Sequence, residues 1–507
     1  MPPAVAVSAV NPTSTARNAL ALTAVCLVAL MFGLEISSVP VILPTLEQQQ
    51  LGSGFQDAQW IMNAYTLACT SVLMAAGTLA DRFGRRRMLV LCLWLFGLAS
   101  LACGLAEGAS LLIAARFVQG VGAGAMMICQ FAILSHQFRE PAARARAFAV
   151  WGVIAGLGLG FGPMVGALIL AVADWRWVFL VHVPLTLLTL ALLHVSVQES
   201  RDPASHRLDI AGMFTLTLSV FALVYFITQG AENGFGTPPM RGWAGLSLAA
   251  LLLFILIERR SAHPMFDFSV FRIQRFNGAL MGSIGMNFSF WPFMIYLPLY
   301  FQAGLDYDTL TTGGALLAYT LPTLLVPPLA ERLALRYGAE RIIPLGLGVM
   351  GTGFMAMATA NGATHPSIVL VLFSCAMAGV GLALTNSPTT NTTTGSVSAD
   401  RAGMASGIDL SARLITLAVN IALMGLVLLL GIGHQLAAVL PATTAPDWPA
   451  ISQHIAAGKL EGLASMGLTR PDAQAALRHG AGWAMLFAGI GACGLALLSR
   501  YFFRRGR

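Results

Sequence analysis

The 507-residue chain is 57% hydrophobic and only 10% charged, with a mean hydropathy of +0.75. A soluble domain carries about 25% charged residues, so a soluble globular protein is excluded. The net charge of +7 comes from 29 basic against 22 acidic residues. The basic residues sit in short gaps between apolar runs rather than in a patch on a soluble fold, which argues against a nucleic-acid partner. All seven cysteines (Cys26, Cys69, Cys92, Cys103, Cys129, Cys375 and Cys493) lie in apolar segments without a C-x-x-C pair. They read as small packing residues, and neither a disulfide framework nor a metal site is indicated.

In chain order, residues 1–18 form a Pro/Ala/Ser-rich tail whose one charge is Arg17. The apolar run after it is too long for a signal-peptide core and reads as a first membrane span. A span needs about 20 mostly apolar residues. Such runs fall at 19–44, 58–80, 88–106, 110–136, 143–170, 175–197, 208–229, 242–258, 276–301, 310–331, 342–360, 366–391, 402–432 and 481–500. Hydropathy alone leaves twelve or thirteen spans open, because 242–258 is short and 366–391 turns polar at Asn386, Ser387 and Thr389.

Arginine placement decides for fourteen. Short cytoplasmic loops collect Lys and Arg. With the N-terminus cytoplasmic, only Arg176, Arg241, Lys459, Arg470 and Arg478 fall outside, and Arg116 and Arg413 lie within spans. Every other basic residue falls inside, from Arg17 through the 82–87 cluster to Arg500, Arg504, Arg505 and Arg507. Dropping a span inverts the alternation downstream of it. The expected fold is therefore all-α integral membrane, with both termini cytoplasmic. One Lys against 28 Arg, with abundant Ala and Gly, points to a GC-rich bacterial genome and its cytoplasmic membrane.

Residues 433–480 make one long outside loop. It reads chiefly as a solvated connector, the alternative being a substrate- or partner-binding element, since long loops are sometimes functional. Thr469-Arg470-Pro471-Asp472 marks a helix start within it. A repeat is visible as well. Leu79-Ala80-Asp81-Arg82-Phe83-Gly84 after span 2 is echoed by Leu329-Ala330-Glu331-Arg332 and Arg336-Tyr337-Gly338 after span 10. Parallel six-span repeats are a transporter design. The division that follows is a tail at 1–18, a six-helix bundle at 19–200, two inserted spans at 201–260 and a second six-helix bundle at 261–507.

Several motifs then resemble one family. Gly77-Thr-Leu-Ala-Asp81-Arg82-Phe-Gly84-Arg85-Arg86-Arg87 is similar to the loop 2–3 signature of the major facilitator superfamily. Arg116-Phe-Val-Gln119-Gly120 is similar to its span-4 motif. Gly152 through Gly166, with Gly156 and Gly162-Pro163 inside it, is similar to the span-5 motif of antiporters. Leu34-Glu35 through Pro44, and Asp174-Trp-Arg-Trp177, resemble the fourteen-span drug:proton antiporters. Against that family's pattern, Glu35 stands where Asp is usual, Ala167 where a second Gly is usual, and His182 where Asn is common. The resemblance implies the major facilitator fold: two six-helix bundles plus two extra helices, 14 transmembrane spans in all. It further implies that spans 1 and 4 line a central cavity, and that Asp81 and Arg85 form a charge cluster latching one half onto the other.

An ionisable group within the bilayer is a functional hypothesis by default. Glu35 lies about 13 Å from the outer end of span 1, and Arg116 about 10 Å deep in span 4, at 1.5 Å rise per residue. Similar depth lets them approach. Glu35 is expected to bind the proton in competition with substrate, Arg116 modulating it; a purely structural ion pair is the other reading. Asp409 and Arg413, spaced i,i+4, read as a buried structural pair, or alternatively as a gating one. Positive-inside placement explains Arg82, Arg86 and Arg87, but not Gly77, Asp81 and Gly84 in register with them. The span-5 glycines permit close helix approach, either as an interdomain seal or as ordinary packing. Two literal G-x-G-x-x-G matches, at Gly346 and Gly489, lie in apolar spans with no preceding strand and fail the dinucleotide context. Phe288, Phe290, Trp291, Phe293 and Tyr296 in span 9 face either a lipophilic cavity or lipid.

The expected activity is proton-coupled antiport that exports small lipophilic molecules by alternating access. A narrow-specificity metabolite exporter or a proton symporter of the same fold is the alternative. No enzyme is expected, because the loops hold no paired carboxylates, metal-ligand set or nucleophile–His arrangement. No cofactor is expected, the proton gradient being the drive. The expected partners are substrate, protons and the lipid bilayer, with a periplasmic adaptor left open.

Overall fold

The structure is a computed structural model describing residues 12–48, 55–138, 140–200, 209–261, 268–361, 367–397, 402–439, 448–460 and 468–505. The surroundings of Gly77 and the side chains of Asp81 and Arg144 lie outside the described residues, as do Arg139, Arg201, Arg207, Arg401 and Arg507 of the inside tally. In chain order the helices are α1 (Pro12–Gln48), α2 (Phe55–Phe83), α3 (Arg85–Gly104), α4 (Ala109–Gln137), α5 (Pro141–Val172), α6 (Arg176–Leu180), α7 (His182–Ser196), α8 (Ile210–Asn233), α9 (Pro238–Arg260), α10 (Gln274–Ser289), α11 (Phe293–Leu299), α12 (Thr309–Leu325), α13 (Pro327–Tyr337), α14 (Ala339–Asn361), α15 (Ile368–Gly395), α16 (Ala402–Val439), α17 (Trp448–Ala456) and α18 (Arg470–Arg505). No strand occurs among the described residues.

Among those residues, eleven helical segments are long and apolar enough to cross a membrane, α6 and α7 counting as one. They become twelve when α12 and α13, bent by 46°, count as one span. Prolines account for that bend: Pro322 inside α12 and Pro327 and Pro328 at the start of α13 all lack the amide a continuous helix needs. The expected runs 58–80 and 276–301 are helical too but fall outside that set. Gln59, Asn63 and Thr66 give α2 a buried polar stripe at i, i+4 and i+7. The run 276–301 is broken between α10 and α11, where Pro292 precedes the new helix.

Helix pairing follows one pattern twice. In the first half α1 packs along α5 and α7, and α4 along α2 and α3. In the second half α10 packs along α16 and α18, and α15 along α12 and α14. Across the halves, α5 lies against α12 and α2 against α16. Helices α8 and α9 form a hairpin against α2 and α16. The repeated loops also share one backbone device. Gly84 closes α2 at φ 115° and Gly338 closes α13 at φ 88°, a region that favours glycine. In each the glycine amide donates back to its helix, to Ala80 O at 3.0 Å and to Ala334 O at 2.9 Å. The next helix begins at the following residue.

One expectation changes, and one open pair of alternatives narrows. The 433–480 stretch is not a solvated connector where it is described: α16 runs on to Val439, and α17 buries Ile451, Ile455 and Ala456 in the core of the second half. The physical reason is the i, i+4 spacing of Ile451 and Ile455, which gives α17 one apolar face. Residues 440–447 and 461–467 of that stretch lie outside the described residues. The helix start at Thr469 holds, and its hydroxyl donates to Asp472 at 2.5 Å. The span-9 aromatics Phe290, Phe293 and Tyr296 are 1–3% exposed, so they do not face lipid. Phe290 stacks on Tyr319 with ring centroids 4.0 Å apart, and Phe293 lies 4.7 Å from Phe354. The G-x-G-x-x-G segments pack helices together: a Cβ on Gly351 would meet Gly489 O at 2.8 Å.

Candidate functional site

The site is built on α4. Gly120 and Gly124 lie four apart and so share one helix face, where α2 comes so near that a Cβ on Gly120 would sit 2.4 Å from Tyr65 O. Gly122 faces the other way, where a Cβ would lie 2.9 Å from Phe96 N of α3. One turn before Gly120, Arg116 therefore reaches α2 directly. Its Nε donates to Ile61 O at 3.1 Å, and its guanidinium lies 4.3 Å from the centroid of the Tyr65 ring, a cation–π contact.

Arg116 and Glu35 form an ion pair in which both side chains are fully buried. The same Arg116 nitrogen, NH1, donates to Gln119 Oε1 at 2.7 Å. Gln119 in turn donates to Ser100 Oγ at 2.9 Å, which joins α3 to the network. The other Glu35 oxygen, Oε2, lies 3.3 Å from His182 Nδ1 at the start of α7. Sequence reasoning named Glu35 and Arg116, and the structure brings them together. It missed Gln119 as a partner, Tyr65 altogether, and His182 as a neighbour of the carboxylate. The signal for His182 was present, since it stood out as a departure from a family Asn.

A lone buried carboxylate or guanidinium carries a large desolvation penalty, and pairing offsets it only when further hydrogen bonds satisfy the remaining atoms. Here that satisfaction is incomplete. Arg116 Nη2 and Glu35 Oε2 have no hydrogen-bond partner among the described residues.

The second charged pair is more fully tied. Arg413 Nε lies 3.0 Å from Asp409 Oδ2. Its other nitrogens donate to Asn386 Oδ1 at 2.7 Å and Thr390 Oγ1 at 3.0 Å on α15. Ser283 of α10 donates to Asp409 Oδ1. The pair thus pins three helices of the second half. The polar end of the 366–391 run is explained by this demand for partners. Glu258, 3% exposed near the end of α9, is a further buried acid that the sequence did not single out.

In the loop after α2, the described partners belong to the first half. The Glu199 carboxylate accepts from the Arg86 and Arg87 amides at 3.1 Å each, capping the open N-terminus of α3 as an anion should. Arg86 NH2 reaches His194 O at 3.2 Å, and the Arg85 amide donates to Ser200 O at 3.0 Å. Gly84 makes room, since a Cβ there would meet the Glu199 carboxylate at 2.5 Å. Arg82 is exposed. Glu199, absent from the motif, is the residue that sequence reasoning missed here.

The span-5 motif has two working faces. Toward α1, Ser37 donates to Gly158 O at 3.0 Å and Ser38 to Gly162 O at 2.9 Å, and a Cβ on Gly166 would lie 2.9 Å from Ser38 O. Toward α12, Gly156 meets Leu324, and Gly160 O accepts from Thr320. Pro163 is buried within the helix. A Cβ on Gly152 would meet nothing within 4 Å. Gly152→Ala is therefore expected to be neutral or to raise stability by up to about 1 kcal/mol through helix propensity. Gly158→Ala, where a Cβ would meet Leu30 O at 2.9 Å, should lower it by about 1–3 kcal/mol through overpacking. Thermal melts of the two purified variants in detergent check the contrast.

Among the described residues no cluster of three or more His, Cys, Asp or Glu could hold a metal ion. Comparison with known proteins fits this geometry. A family model described as Major Facilitator Superfamily matches residues 25–419. The chain is 33% identical over 409 residues to the multidrug resistance protein Stp of Mycobacterium tuberculosis, covering 81% of this chain and 75% of that one. It is 31% identical to the puromycin resistance protein pur8 of Streptomyces alboniger, covering 78% and 79%, and 31% identical to the drug efflux pump JefA of M. tuberculosis, covering 86% and 84%. Among solved structures, a bacterial homolog of the human lysosomal transporter Spinster, in an inward-facing and unoccupied conformation, superposes with a TM-score of 0.63 at 15% identity over 96% of this chain and 98% of that one. A D-xylose–proton symporter superposes with a TM-score of 0.62 at 14% identity, covering 94% and 96%. The apolar helices, the buried charge pair on α1 and α4, the glycine-lined α5 and the family match over most of its length together place this multi-pass membrane chain in the Major Facilitator Superfamily.

Proposed function

We propose that this protein exports small lipophilic molecules across the cytoplasmic membrane by alternating access, each cycle driven by protons moving inward. The observation that carries the reading is the fully buried Glu35–Arg116 pair in a chain more than 30% identical to proteins named for drug efflux and resistance. Glu35 holds the proton in one half-cycle. Once neutral it no longer binds Arg116 as an ion, so the cation is free to meet other acceptors. Re-ionised, the carboxylate recaptures Arg116 as the proton leaves.

The arrangement is two six-helix bundles, 19–200 and 261–507, with α8 and α9 as the inserted pair, fourteen spans in all, and both termini cytoplasmic. The paired packing of α5 on α12 and of α2 on α16 supports it, since these are equivalent pairs in that division. Hydrogen bonds join the halves at the end of α1 away from its N-terminus. Gln59 donates to Tyr296 at 3.0 Å and to Ile421 O at 3.2 Å, and Gln302 donates to Val41 O at 3.5 Å. With the N-terminus cytoplasmic this is the outer face, and the state is closed outward. The latch formed by Asp81 and Arg85 belongs to the opposite state. A narrower substrate range is the second reading, favoured by the relative named for resistance to a single compound, puromycin.

Inverted membrane vesicles containing the protein should accumulate ethidium when energised, and an uncoupler should collapse that accumulation to the level of vesicles lacking it. Accumulation that survives the uncoupler would count against proton coupling. A panel of growth-inhibitory compounds in an efflux-deficient host separates a broad range from a narrow one.

A further inference from the structure

The imidazole of His182 occupies an unusual setting. It is 1% exposed, and both ring nitrogens face acceptors. Nε2 lies 3.3 Å from Met31 O on α1. Nδ1 is hydrogen-bonded to Val178 O on α6 at 3.1 Å, and it lies 3.3 Å from Glu35 Oε2 on α1, a carboxylate oxygen with no hydrogen-bond partner among the described residues. A neutral imidazole carries one N–H and one lone pair, whereas the imidazolium carries two N–H groups. The neutral ring therefore sets a lone pair against an oxygen lone pair on one side or the other while Glu35 is ionised. The imidazolium donates to Met31 O and Val178 O at once and sets a cation 3.3 Å from the ionised Glu35.

We propose that His182 is a second proton-holding residue of the transport site, charged while Glu35 is ionised and able to hand its proton to Glu35. The proposal deepens the proton-antiport reading of Glu35 and rests on it for its role in transport. In the transfer, the Nδ1–H bond of His182 breaks and an O–H bond forms on Glu35 Oε2. The Nδ1 lone pair then accepts from that new O–H, the bond to Val178 O being given up in exchange, and Nε2–H stays on Met31 O. With Arg116 included, the cluster is +1 before and +1 after, so no net charge is created in the buried site, where an uncompensated one is costly. The groups facing the ring from its neighbours are few. Helix α1 presents Glu35, with Arg116 of α4 on the carboxylate's other oxygen. Helix α3 presents only the Phe96 ring, edge-on with centroids 5.6 Å apart.

The pair thus holds one proton in either of two places. Asn lacks this capacity: its amide can donate to Glu35 but has no proton to surrender.

The test uses full-length protein with ¹⁵N-labelled histidine in lipid bilayers, with solid-state NMR of the wild type, His182→Asn and Glu35→Gln. The signal missing in His182→Asn identifies the ring. It should be doubly protonated at pH 7 in the wild type and become a neutral ring in Glu35→Gln. A neutral ring in the wild type, or an imidazolium unchanged in Glu35→Gln, overturns the proposal. A second arm follows ethidium transport against pH in inverted vesicles. Removing the ring takes away the proton holder beside Glu35, so the His182→Asn curve should differ in its pH dependence from that of the wild type. A superimposable curve also overturns the proposal. His182→Gln serves both arms if His182→Asn does not fold. If Glu35→Gln retains uncoupler-sensitive export while the NMR result holds, the antiport role of Glu35 fails and the protonated pair stands. The converse result removes only His182.

Discussion

Glu35→Gln is expected to bring uncoupler-sensitive export down to the background of vesicles without the protein, while the chain still inserts in the membrane. The change keeps the shape of the side chain and removes its charge. Arg116 stays where α2 and α4 hold it, with its Nε on Ile61 O and its guanidinium over Tyr65, but its buried anion is gone. Removing one partner of a buried pair costs about 3–5 kcal/mol, because the other is left uncompensated. The melting temperature in detergent should fall accordingly. Adding Arg116→Gln removes the orphaned charge, so the double variant should melt above Glu35→Gln and still fail to transport. Stability and transport thus part company, which a purely structural ion pair does not predict. Export by Glu35→Gln equal to that of the wild type would end the proton-carrier reading.

Gly120→Ala should be the most damaging single-methyl addition near the site. The new carbon would lie 2.4 Å from Tyr65 O and 2.9 Å from Tyr65 Cα, and backbone cannot rotate out of the way as a side chain can. Helices α2 and α4 must separate, at about 1–3 kcal/mol for an overpacked contact. The loss of function should be larger than the loss of stability suggests. Arg116 spans the same interface to reach Ile61 O, and any widening withdraws it from Glu35. Transport is expected to fall at least tenfold, the equivalent of about 1.4 kcal/mol. Gly348→Ala in α14, with nothing within 4 Å of the added carbon, is the matched control and should transport like the wild type. Initial rates of ethidium uptake, scaled to protein content, compare the two.

Much of this was legible in the sequence because a membrane suppresses ambiguity. Buried charge is costly there, so Glu35, Arg116, Asp409 and Arg413 stand out without any structure. The repeated loop surfaced as a pair of positive-φ glycines, Gly84 and Gly338, because a turn without intervening residues leaves a compositional trace. Partners that are far apart in sequence and chemically ordinary left no such trace. Glu199 caps α3 from more than a hundred residues away, and Gln119 and Ser100 look like any polar residues in a span. The apolar face of α17 was hidden inside a stretch whose prolines and polar residues suggested solvent. Whether α2 is a span is obscured by its inward-facing Gln59, Asn63 and Thr66, which lower its apolarity for a reason of architecture rather than exposure.

The two faces of α5 differ in how they are fastened. On the α1 side, serine hydroxyls bind backbone carbonyls at two successive turns, Gly158 and Gly162, so α1 and α5 travel as one beam. On the α12 side, contact is made largely by small or apolar groups, Gly156 against Leu324 and Ala167 against Gly313, with the Thr320 hydroxyl bonded to Gly160 O between them. The α12 side therefore carries fewer polar ties than the α1 side: one side-chain hydrogen bond, from Thr320 to Gly160 O, against the paired serine bonds to Gly158 and Gly162.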